Sequence, residues 1–324
     1  MKIVILDGYV LNPGDLSWSS LEKLGDLTVY DKTIFDNSND GLIIDRIKDA
    51  EIVFTNKTPI SENVFKNCPK LKYLGVLATG YNVVDIKASK KFGVVVTNIP
   101  SYSTDAVAQM AVALLLELTN HVSIHNKAVR DGQWNEIGEW CFWEKPLMEL
   151  AGKTAGIIGY GKIGQATSKI VQAMEMKVLA YNRHKNKVLE SENVKYGELN
   201  DVFEKSDVIF LHCPLTEETK GIINSKSIER MKDGVIIVNN ARGPLIVEED
   251  LANALNTGKV YGAALDVTST EPIGKENPLL KAENCIITPH ISWAAKETRE
   301  RLINIAVENL KKFLEGNPIN AIIL

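Results

Sequence analysis

Short apolar runs alternate with helical patterns along the first hundred residues of the chain. The runs are continuous rather than interrupted by polar residues, which is typical of parallel strands that are buried on both faces. The pattern predicts strands at 3–6, 27–30, 52–55, 73–76 and 94–97, and helices near 17–24, 42–48, 61–66 and 84–91. Strands that alternate with helices in this way predict one α/β domain with a parallel sheet.

The same alternation returns after residue 150. It predicts strands at 154–158, 178–181, 208–211, 235–239, 261–266 and 286–288, and helices near 199–205, 225–230 and 248–256. Before this series, Ser103, Thr104 and Asp105 provide the cap of an apolar helix that runs to about Leu118. We therefore expect a second, doubly wound parallel sheet over residues 101–291.

Residues 294–314 predict an amphipathic helix, because apolar residues recur on one stripe. The second sheet has no further strand to extend, so we expect this helix to return to the first domain. The predicted fold is α/β with two Rossmann-like domains. A doubly wound dinucleotide-binding domain occupies 101–291, and a smaller flavodoxin-like, substrate-binding domain combines 1–100 with 292–324. The two crossovers would form a hinge.

The segment 121–150 departs from this alternation and shows few regular patterns. It carries the aromatic residues Trp134, Trp140, Phe142 and Trp143. Long irregular segments inside compact domains are usually functional or interfacial, and aromatic enrichment favours a subunit contact. We therefore expect a dimerisation segment here. The alternative to a subunit contact is a flexible surface loop that is covered by its own tryptophans.

Charge and cysteine content exclude several classes of function. The 324 residues include 37 Lys and Arg and 41 Asp and Glu, which give a net charge of −4 and no electrostatic footprint for nucleic acid or an anionic membrane. The four cysteines form no C-x-x-C pair, so neither a metal site nor a disulfide framework is indicated. This use of cysteine fits a reduced, cytoplasmic setting. No apolar run approaches the ~20 residues that span a bilayer.

The strongest motif is the G-x-G-x-x-G sequence of residues 159–164, which follows a strand and opens a helix. Gly159 permits the tight turn, Gly161 lets a pyrophosphate approach the backbone, and Gly164 lets the helix pack closely on the strand. The free N–H groups and the positive end of the helix would face the phosphates. We predict a dinucleotide site; the alternative is a glycine-rich turn without a ligand.

Three polar residues follow late strands of the second domain: Arg242, Glu271 and His290. All three belong at the carboxyl edge of the sheet, where the glycine turn also lies. A histidine can take or give the proton of a hydroxyl group, a nearby carboxylate favours the charged imidazole, and an arginine can hold an acid substrate. Each residue alone fits a turn or surface position, but together they predict an alcohol dehydrogenase that acts on an acid.

The first domain contributes a candidate loop just after its fourth strand. Thr79 and Gly80 could offer backbone N–H groups to a substrate carboxylate at a strand end. The alternative is a plain turn that uses Gly80 for its geometry.

The segments NNARGPLI, ALDVTSTEP and ITPHISW resemble the catalytic signatures of the D-isomer-specific 2-hydroxyacid dehydrogenases. The resemblance covers the whole chain and includes LATGYNVVD, GIIGYGKIGQ and LHCPLTEET. It implies that Arg242 binds the substrate carboxylate and carbonyl, that Glu271 pairs with His290, and that His290 is the acid/base. It also implies a cleft between two domains and a homodimer built through the nucleotide domain.

Further roles also come from the resemblance. The Thr79–Gly80 loop is similar to the family's carboxylate-binding loop, and Asp266 to the residue that holds the nicotinamide carboxamide. The predicted cofactor contacts are Thr104, Gly159, Gly161, Lys162, Ile163, Gly164, Asn182, Arg183, Cys213, Pro214, Ala241 and Asp266.

The cofactor variant depends on the end of the second strand of the nucleotide unit. NAD enzymes usually carry an acidic residue there for the ribose 2′-OH. This chain has Asn182 instead, followed by Arg183, His184 and Lys185. Cationic side chains can hold a 2′-phosphate, which favours NADP(H). The alternative is that Asn182 binds the ribose hydroxyls, Arg183 stacks on adenine, and NAD(H) is accepted.

The aromatic residues around 139–143 and Trp293 resemble the glycerate dehydrogenase (hydroxypyruvate reductase) branch of the family. We therefore predict reversible reduction of hydroxypyruvate or glyoxylate to D-glycerate or glycolate. One alternative is a D-lactate-type or branched 2-ketoacid reductase. Another is a cofactor-sensing corepressor, since some relatives bind partners through the same fold.

Overall fold

A computed structural model describes residues 1–36 and 38–322 and divides the chain into two compact units. One unit contains Met1–Ser103 and Ala294–Leu324, and the other contains Thr104–Trp293. The sequence-based divisions lie at 100/101 and 291/292, against 103/104 and 293/294 here. Both units are built on sheets whose strands pair in parallel, so the predicted α/β class is confirmed.

The first unit has a five-stranded sheet in the order β2-β1-β3-β4-β5, which is the flavodoxin-like order. Its strands are β1 (Lys2–Ile5), β2 (Asp26–Val29), β3 (Ile52–Thr55), β4 (Tyr73–Val76) and β5 (Val95–Thr97). Its first four helices are α1 (Ser19–Glu22), α2 (Asp40–Ile47), α3 (Glu62–Asn67) and α4 (Ile86–Lys91). Every residue of β3 and β4 is buried, so these two strands form the centre of the core.

Polar residues at the first turns determine where three of these helices begin. The side chains of Asn39, Ser61 and Asp85 each accept a hydrogen bond from a backbone N–H three residues later. Such caps stabilise a helix by about 1 kcal/mol. They place the start of α2 before the predicted residue 42 and the start of α4 after the predicted residue 84, because capping rather than apolar periodicity defines the first turn.

The second unit has a seven-stranded sheet in the order β12-β11-β10-β9-β6-β7-β8. Its strands are β6 (Thr154–Ile158), β7 (Lys177–Tyr181), β8 (Val194–Tyr196), β9 (Val208–Leu211), β10 (Val235–Asn239), β11 (Val260–Leu265) and β12 (Cys285–Ile287). Its helices are α5 (Thr104–Asn120), α6 (Val122–Arg130), α7 (Gln133–Ile137), α8 (Lys162–Ala173), α9 (Leu199–Lys205), α10 (Ser225–Glu229) and α11 (Glu248–Asn256). Counted from β6, the order is 3-2-1-4-5-6 with a seventh strand added, which is the dinucleotide-binding arrangement.

Two features of this unit correct the sequence-based expectation. The segment 121–150 is not irregular throughout, because α6 and α7 occupy its first half. Neither helix buries much of its surface: α6 buries Ala128, and α7 buries no residue. The edge strand β8 was also missed, because it has three residues and its central Lys195 is exposed.

Among the described residues, no single helix is long and apolar enough to cross a membrane. The bent pair α5 and α6, which meet at 55°, reaches that length and composition only when the two are taken together.

The last helix, α12 (Lys296–Leu314), belongs to the first unit. The Phe313 ring lies 4.9 Å from the Tyr73 ring of β4, centroid to centroid. The buried Arg299 guanidinium donates to both carboxylate oxygens of Asp15, at 2.8 and 2.6 Å. These contacts pack α12 against the N-terminal part of the first unit.

Candidate active site

The carboxyl edge of the seven-stranded sheet gathers most of the predicted site residues. Since all strands of this sheet run in parallel, every loop that follows a strand opens at the same edge. In sheet order, β12 leads to His290, β11 to Asp266 and Glu271, β10 to Ala241 and Arg242, β9 to Cys213 and Pro214, β6 to Gly159, and β7 to Asn182 and Arg183.

The three glycines after β6 differ in what a side chain would meet. Gly159 has a φ of +101°, and a Cβ there would lie 2.4 Å from the backbone nitrogen of Cys213. A Cβ on Gly164 would lie 2.4 Å from the carbonyl oxygen of Gly159. A Cβ on Gly161, in contrast, meets no protein atom within 4 Å. The first and third glycines are therefore required by the fold, whereas the second leaves open space at the start of α8.

That open space lies at an uncapped helix N-terminus. Gly161 is the N-cap of α8, no side chain caps the first turn, and that turn contains no acidic residue. A helix N-terminus without a side-chain cap attracts an anion through its N–H groups and its dipole. The residues present therefore fit the pyrophosphate of a dinucleotide.

His290 and Glu271 form a direct pair. The Nδ1 atom of His290 lies 2.7 Å from Oε2 of Glu271, and both side chains are partly exposed. When the carboxylate accepts a hydrogen bond from the Nδ1–H group, Nε2 is left to exchange a proton with a ligand. The predicted pairing of these residues, which lie 19 positions apart, is present in the structure.

The buried carboxylate of Asp266 holds the loop that carries His290. It accepts hydrogen bonds from the Thr288 hydroxyl at 2.6 Å, the Ile291 N–H at 2.9 Å and the Ser292 N–H at 2.7 Å. His290 itself has a φ of +56°, which a non-glycine residue keeps only when its surroundings enforce it. Asp266 therefore enforces the loop conformation from both sides of His290, a role that sequence reasoning did not find.

Arg242 lies one strand away, after β10. Its side chain is exposed, and its Nη1 donates to the Ala241 carbonyl at 2.6 Å. The adjacent Gly243 packs so closely that a Cβ would lie 2.0 Å from the backbone of Thr268. This contact brings the Arg242 loop against the segment that leads to Glu271. Asn239, another residue that sequence reasoning missed, supports the loop by donating to the Arg242 carbonyl at 2.9 Å.

At the other end of the edge, the charged residues after β7 are already paired. Arg183 forms an ion pair with Glu218, and Lys185 forms one with Glu198. The Asn182 amide donates to the carbonyl of His184 at 3.2 Å, which holds this turn in place.

The loop after β9 contains two residues whose titration is shifted by burial. Burial lowers the pKa of the His212 imidazole to about 4, and its Nε2 lies 2.9 Å from the hydroxyl of Thr167. Burial also raises the pKa of the Cys213 thiol to about 11. At neutral pH the His212 imidazole is therefore uncharged and the Cys213 thiol is protonated, so neither side chain brings a charge to the glycine turn.

The predicted residues of the first unit lie at the carboxyl edge of its own sheet, after β4. The Thr79 hydroxyl donates to the Ile99 carbonyl at 2.7 Å, and the Asn98 amide donates to the Thr79 carbonyl at 2.8 Å. Within the described part of the chain, the backbone N–H groups of Thr79 and Gly80 have no protein acceptor. Thr104, predicted to contact the cofactor, is the first residue of α5 in the other unit.

A dinucleotide turn and an acid–base pair at one edge of a doubly wound sheet define a nucleotide-dependent oxidoreductase. The matching family model, D-isomer specific 2-hydroxyacid dehydrogenase, NAD binding domain, covers residues 112–292. A hydroxypyruvate reductase from Blautia hydrogenotrophica is 60% identical over 322 residues, or 99% of each chain. A glycerate dehydrogenase from Methylorubrum extorquens is 38% identical over 86% of this chain and 88% of that protein. A solved structure of an acyclic imino acid reductase with NADPH and D-Arg has 29% identity and a TM-score of 0.83, with 100% of both chains covered.

The chain therefore belongs to the D-isomer-specific 2-hydroxyacid dehydrogenase family, as predicted. It is an oxidoreductase that acts on the CH–OH group of donors and binds a nicotinamide cofactor.

Proposed function

We propose that this enzyme reversibly reduces hydroxypyruvate, and also glyoxylate, to D-glycerate and glycolate, with NADP(H) as the favoured cofactor. The observation that carries the substrate assignment is the 60% identity, over 99% of both chains, to a protein named hydroxypyruvate reductase. The pairing of His290 with Glu271 supports it, because the reduction of a 2-keto acid needs a proton donor at the new hydroxyl oxygen.

Each residue of the site has a distinct role in this proposal. A bound nicotinamide supplies or accepts the hydride. His290 gives a proton from Nε2 to the carbonyl oxygen during reduction, and Glu271 stabilises the charged imidazole that precedes this transfer. Arg242 binds the carboxylate and polarises the carbonyl of the substrate, since its guanidinium fork matches a carboxylate. In the first unit, the N–H groups of Thr79 and Gly80 are the proposed donors to a substrate carboxylate.

The cofactor would be held along the carboxyl edge of the seven-stranded sheet. Gly161 and the first turn of α8, with Lys162 and Ile163, would bind the pyrophosphate, and Asp266 would accept from the carboxamide. Among the described residues its carboxylate has three protein donors, fewer than the roughly four hydrogen bonds that a carboxylate can accept. The remaining predicted contacts are Thr104, Cys213, Pro214 and Ala241. Asn182 in place of an acid, with Arg183 next to it, supports the preference for NADP(H).

Two further parts of the proposal concern assembly and location. We assign dimerisation to 121–150, because Trp140 is 84% exposed and Trp143 is 65% exposed. Exposed aromatic patches of this kind mark protein interfaces. The cytoplasm fits the four free cysteines.

Steady-state kinetics with hydroxypyruvate, glyoxylate, pyruvate and 2-ketoisocaproate, each with NADPH and NADH, tests the proposal. We expect the highest kcat/KM for hydroxypyruvate with NADPH. A clear preference for pyruvate or 2-ketoisocaproate would assign the enzyme to the D-lactate or branched-acid reductases instead. Negligible turnover with every acid, together with tight cofactor binding, would indicate a cofactor sensor.

A further inference from the structure

The ion pair between Arg183 and Glu218 crosses the dinucleotide turn. Arg183 follows β7 and Glu218 lies in the loop after β9, and these two strands flank β6 on opposite sides. Two strand spacings separate β7 from β9, which is about 10 Å. The pair therefore connects the two loops on either side of the glycine turn.

The loop that carries Glu218 has a defined conformation. The Thr219 hydroxyl donates to the Pro214 carbonyl at 2.7 Å, and the Thr216 N–H donates to the Thr219 hydroxyl at 2.8 Å. The Lys220 N–H donates to the Thr216 carbonyl at 2.9 Å. These bonds form a compact turn, so the carboxylate of Glu218 is presented to Arg183 from a fixed backbone.

Glu218 competes with any anion for the guanidinium of Arg183. A 2′-phosphate carries a charge of about −1.5 to −2 at neutral pH, so it is attracted by Arg183 and repelled by Glu218. A ribose with a free 2′-OH carries no such charge and is nearly indifferent to Glu218. Lys185, the next cation along the chain, is similarly paired with Glu198. Arg183 and Lys185, two of the basic residues that favour NADP(H), are therefore each paired with a carboxylate.

We propose that Glu218 is a specificity-determining residue that limits the preference for NADPH over NADH. The inference rests on the proposed function, in which Arg183 receives the 2′-phosphate. NADPH must displace or share the Glu218 partner of Arg183, whereas NADH binds without opening the pair. The carboxylate thus keeps NADH usable in a site whose other side chains favour the phosphorylated cofactor.

Glu217 offers a matched control, because it is adjacent, exposed and of the same charge. Within the described residues it forms no ion pair, in contrast to Glu218. The experiment measures the Kd of NADPH and of NADH, by quenching of protein fluorescence without substrate, for the full chain and for E218Q, E217Q, R183A and the double variant R183A/E218Q.

We expect E218Q to tighten NADPH binding about 3- to 5-fold and NADH binding by less than about 2-fold, in line with exposed charge pairs. We expect E217Q to change the Kd of NADPH and the Kd of NADH by less than about 2-fold each. In the R183A background, E218Q should lose most of its effect on NADPH, since no guanidinium is left to release. Higher salt should reduce the effect of E218Q.

The inference is overturned if E218Q changes NADPH and NADH equally, or if E217Q has the same effect as E218Q. R183A separates this failure from that of the proposed cofactor preference. If R183A weakens NADPH selectively while E218Q changes nothing, only the role of Glu218 is wrong. If R183A leaves NADPH binding unchanged, Arg183 does not hold the 2′-phosphate, and both the cofactor preference and the inference are wrong.

Discussion

At the scale of single residues, the chemistry of this enzyme depends on side chains that other side chains hold in place. His290 is oriented by Glu271 through Nδ1, and its loop is held by the buried Asp266. Asn239 and Gly243 do the same for the loop of Arg242. The proposed acid/base and the proposed substrate anchor are thus presented from loops that hydrogen bonds hold in place.

The proposed acid/base role of His290 gives the first prediction. We expect His290→Ala to lower kcat for hydroxypyruvate reduction by about 10²- to 10⁴-fold, because the proton donor is lost. The Kd of NADPH should change little, since the pyrophosphate and ribose contacts lie on other strands. Stopped-flow or steady-state kinetics and a fluorescence titration measure the two quantities. Wild-type turnover in this variant would rule out the acid/base role.

His212 gives a prediction about stability and pH. Its folded-state pKa of about 4 lies below the unfolded value of 6.5, so between these values the unfolded chain binds more protons. The folded protein therefore loses stability as the pH falls from 6.5 towards 4, and His212 has no such effect above 6.5. Because the His212 side chain keeps some contact with solvent, which screens its charge, we expect a loss of about 2 kcal/mol from this group.

The measurement is urea unfolding at pH 7 and at pH 4.5 for the wild type and for His212→Gln. The variant should lose less stability than the wild type between the two pH values. An equal loss in both proteins would show that His212 does not contribute to acid sensitivity.

At the scale of elements, the turn between β6 and α8 contains three glycines within six residues, and their surroundings differ. The backbone of Gly159 lies against Cys213, and Gly164 lies against Gly159, so both positions are closed to a side chain. Gly161 faces open space at the helix N-terminus. The same motif therefore contains two glycines that the fold requires and one whose open side leaves room for the proposed ligand.

Substitution of these glycines tests that division. Gly161→Ala should leave the Tm nearly unchanged, because the gain of about 0.4–1 kcal/mol from a less flexible unfolded chain is offset by the weaker N-cap that alanine provides. It should weaken NADPH binding at least about tenfold, because the methyl group occupies the space of the pyrophosphate. Gly159→Ala, the matched comparison, should destabilise the fold, since φ is +101° and the Cβ would clash. Calorimetry and cofactor titration distinguish the two, and a destabilised Gly161→Ala would contradict this account.

At the scale of the whole molecule, the chain forms two units with different strand orders and their own cores. The first unit has the flavodoxin-like order, and the second has the longer dinucleotide-binding order. Most large apolar side chains are buried in these cores, but several between 116 and 147 remain exposed. The proposed dimer would cover them.

The dimer proposal predicts that Trp140→Ala combined with Trp143→Ala weakens self-association by at least about tenfold, since buried aromatic residues dominate interfaces. Phe35→Ala is the control, because Phe35 is 54% exposed but belongs to the first unit. Analytical ultracentrifugation over a range of concentrations measures the effect. A monomeric wild type, or an equal effect of the Phe35 control, would contradict the proposal.

Local patterns predicted the strands where burial is complete on both faces. The bounds of β3, β4, β9 and β10 agree with prediction to the residue, because every position in them is buried and nearly all are apolar. Prediction failed where an element has little core to cover, as for α6, α7 and β8.

The sequence by itself determined the two parallel sheets, the glycine turn and the choice of Arg242, Glu271 and His290 as candidate site residues. These depend on short apolar runs and on residue types near strand ends. Only the tertiary structure decided which groups meet. Asp266 holds the residues on both sides of His290, and Glu218 reaches Arg183, 35 positions away, because β9 and β7 flank β6. The physical reason is that strand order, which no local pattern encodes, determines which loops become neighbours at the edge of a sheet.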